Sequence, residues 1–121
     1  MRPVRPGDFK IGTWNIEGYT VSKQIELETI MRRTGIMIMC VQETWVSKSD
    51  VFVTESGFLV VLSGGVGDEE GEERAGVGFI VASAFRQSIV GFQQATARMA
   101  SMKLRISGGK AAIFSAYTQW V

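Results

Sequence analysis

The 121-residue sequence contains no histidine. That removes nucleophilic catalysis in its usual Ser-His-Asp and Cys-His forms, and the common zinc sites built on imidazole. A metal here would have to be a hard cation held by oxygens, such as magnesium or calcium. Cysteine occurs once, as Cys40, so no internal disulfide can form and a reducing compartment is the expected setting. No apolar run approaches the roughly 18 residues of a membrane span. The opening MRPVRPGDFK has no apolar stretch behind its basic residues, unlike a secretory signal. Together these absences predict an intracellular protein, nuclear or cytoplasmic, with no membrane partner.

Acidic residues are also missing from a long stretch. Residues 1–67 hold seven basic and seven acidic side chains, and Asp68–Glu73 adds five acids. From Arg74 to Val121 there are six basic residues and no acid. A half-chain of one sign points to a polyanionic partner, or to a balancing part of the protein beyond this sequence. Hydrophobic residues make up 45% and charged residues 21%, the composition of an ordinary globular domain.

Phe9–Ile16 is predicted as a strand after the Pro6-Gly7 punctuation. Residues 20–34 are predicted as a helix. Thr20 or Ser22 caps its start, Leu27, Ile30, Met31 and Thr34 recur at helical spacing, and Gly35 ends it. Ile36–Val41 is a continuous apolar run, the pattern of a strand covered on both faces. Strand, crossover helix and buried strand make a βαβ unit with parallel strands. Residues 44–56 read as mixed, with one short helical turn, and Phe58–Leu62 as another strand. Ser63–Gly76 reads as a mobile surface loop. Antiparallel strands are expected over Gly76–Ala82, Ser88–Gln93, Arg98–Ile106 and Ala111–Tyr117, with Gly108-Gly109 as a hairpin signal.

Two polar residues stand at informative places. Asn15 ends the first strand and Glu43 follows the buried strand. Parallel neighbours share one C-terminal edge, where open α/β sheets bind ligands. A carboxylate there suits a hard divalent cation, and an amide can orient a ligand or a neighbouring carboxylate. Polar residues also end strands simply because the chain meets water.

The residues Ile11-Gly12-Thr13-Trp14-Asn15-Ile16-Glu17, Val41-Gln42-Glu43-Thr44-Trp45, Ala75-Gly76-Val77-Gly78-Phe79 and Ser115-Ala116-Tyr117 follow one another in a characteristic order. Together they resemble the first half of the endonuclease/exonuclease/phosphatase superfamily. The stretch Arg98–Leu104 ahead of the last hairpin makes the resemblance nearest to the apurinic-site-like endonuclease domain of non-LTR retrotransposons. The resemblance implies an α/β fold, the first half of a two-sheet, DNase-I-like α/β sandwich with a mixed sheet. Residues 1–8 would be a tail, and residues 9–121 a partial domain lacking its C-terminal half. It implies magnesium, or manganese, as cofactor and DNA as partner of the full-length protein, with a phosphatase or phospholipase activity as the alternative within the superfamily.

The resemblance also assigns roles. Glu43 matches the metal-binding glutamate and Glu17 an acidic residue near the metal. Asn15 matches the asparagine that supports the phosphate, and Tyr117 a tyrosine that reaches the scissile phosphate. Gln42 matches a support residue. The family's second-half motifs, Gly-Asp-x-Asn and Ser-Asp-His, do not occur; the three aspartates are Asp8, Asp50 and Asp68. The expected reading is therefore a fragment inactive alone, with a non-catalytic remnant that binds nucleic acid as the alternative. Trp14, Trp45 and Trp120 read as core or half-core, Arg98 and Lys103 as solvated strand residues, and Cys40 as inert. Met31, Met37, Met39, Met99 and Met102 read as core residues.

Overall fold

The computed structural model describes residues 9–64, 75–96 and 98–116. Its first strand, β1 (Ile11–Asn15), leads into helix α1 (Val21–Thr34) and then β2 (Ile38–Gln42). Thr20 caps the helix: its side chain accepts a hydrogen bond from the Lys23 amide at 3.1 Å. Gly35 ends it in the left-handed region, φ 76°, with its amide bonded to the Met31 carbonyl. The crossover returns β2 parallel to β1, with Asn15 opposite Gln42.

Four of the five β2 residues are buried and the last is half-buried, as expected for a strand covered on both faces. Strands β3 (Asp50–Val53), β4 (Leu59–Ser63) and β5 (Val77–Val81) complete a mixed five-stranded sheet in the order β1-β2-β5-β4-β3. All contacts other than β1–β2 are antiparallel. A six-residue 3-10 helix, Ser83–Ser88, leads to β6 (Ile89–Thr96), β7 (Met99–Ile106) and β8 (Gly109–Ala116), a three-stranded antiparallel sheet. Ser107-Gly108 makes the last turn, Gly108 at φ 91°, and Gly109 already pairs with Ile106.

The two sheets face each other across a core in which Phe79, Cys40 and Val61 of the larger sheet meet Ala100, Met102 and Leu104 of the smaller. The opposite face of the larger sheet, through Met39, Val41, Val60 and Ile80, packs on Leu27 and Met31 of α1. The result is a mixed α/β architecture of helix, sheet and sheet. Alternation in β7 (Ala100, Met102 and Leu104 in; Lys103 and Arg105 out) is what a sheet with one wet face requires.

Three features differ from the sequence reading. Residues 50–53 form an edge strand in place of the helical turn, because Phe52 reaches the helix-side core and stacks edge-on with Tyr19 at 6.3 Å. The buried stripe of α1 is Gln24, Leu27, Glu28 and Met31, rotated toward polar positions and leaving Thr34 exposed. Glu28 lies 3% exposed and accepts hydrogen bonds from the hydroxyls of Thr54 (2.7 Å) and Ser56 (2.6 Å), fastening the helix to the β3–β4 turn. Met99 is exposed while the other four methionines of the predicted core are buried. The predicted loop falls largely on residues 65–74, outside those described.

Phe79 is fully buried between the sheets, edge-on to Phe92. Phe79→Ala is expected to cost about 3–5 kcal/mol in urea unfolding. Val51→Ala, at an exposed site, should stay within about 0.5 kcal/mol. Burial pushes the Cys40 thiol up to about 11. In the unfolded chain it would ionise at its ordinary value of 9.0. The neutral thiol's contribution is therefore complete below that value and is lost as pH rises toward about 11. Tyr19 is also raised, by burial and then by the Glu28 and Asp50 carboxylates, and adds a loss of the same sign. Unfolding midpoints should fall across this alkaline range, and Cys40→Ala should flatten part of the slope.

Candidate functional site

The parallel register carries Asn15 and Glu43 to the same edge of the sheet. Pairing continues past the strands: the Ile16 amide donates to Gln42 O at 3.0 Å, Gly18 to Glu43 O at 2.7 Å, and Tyr19 to Thr44 O at 2.8 Å. On the other side Thr44 and Trp45 donate to Gly76 and Ala75 at 3.1 Å each. The segment after β2, residues 43–45, is thus held on one side by the turn after β1 and on the other by the residues ahead of β5.

The Asn15 side-chain amide donates to Oε2 of Glu43, and the Trp45 indole donates to Oε1 at 3.4 Å. Asn15 presents its nitrogen to the carboxylate because its oxygen is engaged elsewhere, accepting from the Glu17 amide at 3.2 Å. Glu43 is half-buried and Asn15 exposed, so the carboxylate is oriented while still open to solvent.

The backbone here is unusual. Glu17 (φ 49°), Glu43 (φ 55°) and Trp45 (φ 59°) are the non-glycine residues with positive φ among those described, and all three belong to this edge. Such conformations cost on the order of 1–3 kcal/mol each and concentrate where a side chain must be aimed. Gly18, φ 98°, makes room for the Trp45 ring: a Cβ there would stand 2.5 Å from Cε3 of the indole. Lys23 closes the β1–α1 loop, its ammonium donating to the carbonyls of Ile16 (2.6 Å) and Glu17 (2.8 Å).

Gln42 ties this edge to the second sheet. Its carbonyl accepts from Thr13 Oγ1 at 3.2 Å and its amide donates to Ser115 Oγ at 3.2 Å. Ser115, 1% exposed, donates in turn to the Val41 carbonyl at 2.9 Å. Asn15, Glu43 and Gln42 therefore come together, and the Glu17 backbone joins them through Asn15. Tyr117 lies outside the described residues.

No protein-family model and no curated protein sequence matches this chain.

Among the described residues no three His, Cys, Asp or Glu side chains converge as a metal cluster. Magnesium commonly takes only one or two protein carboxylates, keeping waters and substrate oxygens for the rest. The Glu43 carboxylate, turned by two donors and accessible from outside, fits that sparse mode. Asn15 and Trp45 would orient it; they would not ligate.

Sequence reasoning missed Lys23, Trp45 and Ser115 as positioning residues. Lys23 carried a signal: a cation in the first turn opposes the helix dipole and needs a local reason. The tryptophans need correction. Trp14 is 42% and Trp45 39% exposed, one on an edge strand and the other in a loop held by its Glu43 bond; Trp120 lies outside the described residues.

Gly18→Ala should force the Trp45 ring off Glu43 and strain the backbone at φ 98°. A destabilisation of more than about 1 kcal/mol and a changed indole emission are expected. An unchanged emission spectrum would mean that Trp45 does not pack on Gly18.

Proposed function

We propose that this chain is the N-terminal part of a magnesium-dependent phosphodiesterase of the endonuclease/exonuclease/phosphatase type, with the DNase-I-like sandwich as its complete fold. The observation that carries the reading is the Glu43 carboxylate, oriented by Asn15 and Trp45 on the C-terminal edge of parallel strands. Three chemical demands meet in phosphodiester cleavage: an activated water, a cation that offsets charge on the phosphate, and groups that hold the phosphorus in line. Glu43, with Glu17 as the second acid, would hold magnesium or manganese, which supplies the charge compensation. Asn15 and Lys23 keep the edge in shape, and Gln42 joins it to the strand that leads toward Tyr117.

DNA is the favoured substrate class, in the manner of a retroelement endonuclease. The acid-free stretch from Arg74 to Val121 suits a polyanion, and polyanion binding rests on such charge. The sequence contains no Gly-Asp-x-Asn motif, so these residues alone supply no aspartate base. General-base loss costs about 10²–10⁴ in rate.

Manganese titration followed by electron spin resonance should show one weak site, weakened about ten-fold or more in Glu43→Gln. The purified chain should not nick supercoiled plasmid with magnesium. Manganese affinity equal in Glu43→Gln and the parent chain would remove the site, and nicking abolished by Glu43→Ala would overturn the predicted inactivity.

A further inference from the structure

The outer face of the β6-β7-β8 sheet has a chemistry that the Glu43 edge does not explain. Inward residues of β7 are Ala100, Met102 and Leu104, so Ser101, Lys103 and Arg105 point away from the core. Register extends this face across the sheet. Gly91, Lys103 and Ala112 form one cross-strand row, and Gln93, Ser101 and Phe114 the next. Arg105 pairs with Lys110 beyond them.

Two properties of this surface belong together. Residues 89–116 contain no aspartate or glutamate, so Lys103, Arg105 and Lys110, all exposed, have no carboxylate on their own sheet to neutralise them. Phe114 stands 63% exposed on the same face, directly across from Ser101. Beside it runs a trough of about 250 Å³ lined by Val90, Gly91, Phe92, Gln93, Ser101 and Lys103. Gly91 opens its floor, since a Cβ at that position would meet nothing within 4 Å. Gln93 and Ser101 on its rim offer donors and acceptors for base edges.

From this we propose that the outer face of the three-stranded sheet binds single-stranded nucleic acid, with a base stacked on Phe114 and the backbone carried by Lys103, Arg105 and Lys110. An exposed ring on a sheet face can stack only on a base that is not already stacked in a duplex. Base stacking on aromatic platforms beside a cationic track is the general mode of single-strand recognition. Charge selects a polyanion, and the ring selects one with π-faces over an acidic peptide or a lipid surface. The inference goes beyond the Glu43 site and does not rest on it.

The test is fluorescence anisotropy of the full chain with short labelled oligothymidylate and oligouridylate, which separate DNA from RNA, and with a duplex of equal length. Single strands should bind at low salt. Phe114→Ala should weaken them at least about five-fold, while Phe114→Tyr keeps the affinity. Lys103→Ala should lower the slope of log affinity against log salt by about 0.7. The duplex should bind more weakly and be indifferent to Phe114→Ala. The replacement of Arg105 and Lys110 by glutamate gives a second variant pair, expected to abolish binding with the circular dichroism unchanged. Equal affinity of Phe114→Ala and the parent chain for oligothymidylate would overturn the proposal, as would polyglutamate or anionic vesicles binding as tightly as the oligonucleotides. Manganese binding reads the Glu43 edge and anisotropy reads this face, so each proposal fails on its own measurement.

Discussion

The parallel pairing of β1 with β2 is the constraint on which the rest of the structure depends. It needs a crossover, the crossover is α1, and α1 can sit only where Leu27 and Met31 cover Met39 and Val41. Once β2 is covered on that side, its other face has to be covered too, and β7 supplies Ala100, Met102 and Leu104 for the purpose. The same pairing sets Asn15 opposite Gln42 and leaves Glu43 one residue beyond the last rung. A slip of a single residue would turn every β2 side chain to the opposite face, and Glu43 would lose Asn15.

How much of this could be read from the residues alone follows from where the information sits. The βαβ unit was legible because its signals are local: a cap at Thr20, a glycine at Gly35, and an uninterrupted apolar run that demands two covers. The convergence of Asn15 and Glu43 followed from the parallel pairing with no further assumption. The strand at Asp50–Val53 was not legible, since four residues carry too little alternation to compete with turn signals; Phe52 finds its place only because Tyr19 and α1 are already there. The polar stripe of Gln24 and Glu28 was hidden for a related reason. Periodicity locates a buried face by its apolar members, and here half of that face is polar: Glu28 is satisfied by Thr54 and Ser56, residues remote in sequence, and Gln24 by Tyr19 and Glu28.

At the Glu43 edge the aim of the carboxylate is a tertiary property. Three positive-φ residues lie in sequences that have no glycine at those positions, so composition gives no hint of the turns. They persist because hydrogen bonds from both sides over-determine the backbone. The ring of Trp45, exposed on one side and packed over Gly18 on the other, acts as a prop for the acid rather than as core. Two orphaned hydroxyls, Thr44 Oγ1 and Ser63 Oγ, are buried without a hydrogen-bond partner among the described residues. Thr44 Oγ1 lies against Gly76, where a Cβ would approach it to 2.2 Å. Close packing at this end of the sheet is thus bought at some expense in hydrogen bonding.

The link from Gln42 to Ser115 joins residues 73 positions apart. During synthesis the β1-α1-β2 unit leaves the ribosome long before its clasp exists. Local contacts can assemble that unit early, but the edge stays unlatched until the final hairpin has been made and docked, because widely separated contacts close last and slowly. The nascent protein therefore passes through an interval in which Phe79, Cys40 and Val61 present a sheet face that β7 has not yet covered. Arrest of translation before β7 has been made would prolong that interval indefinitely.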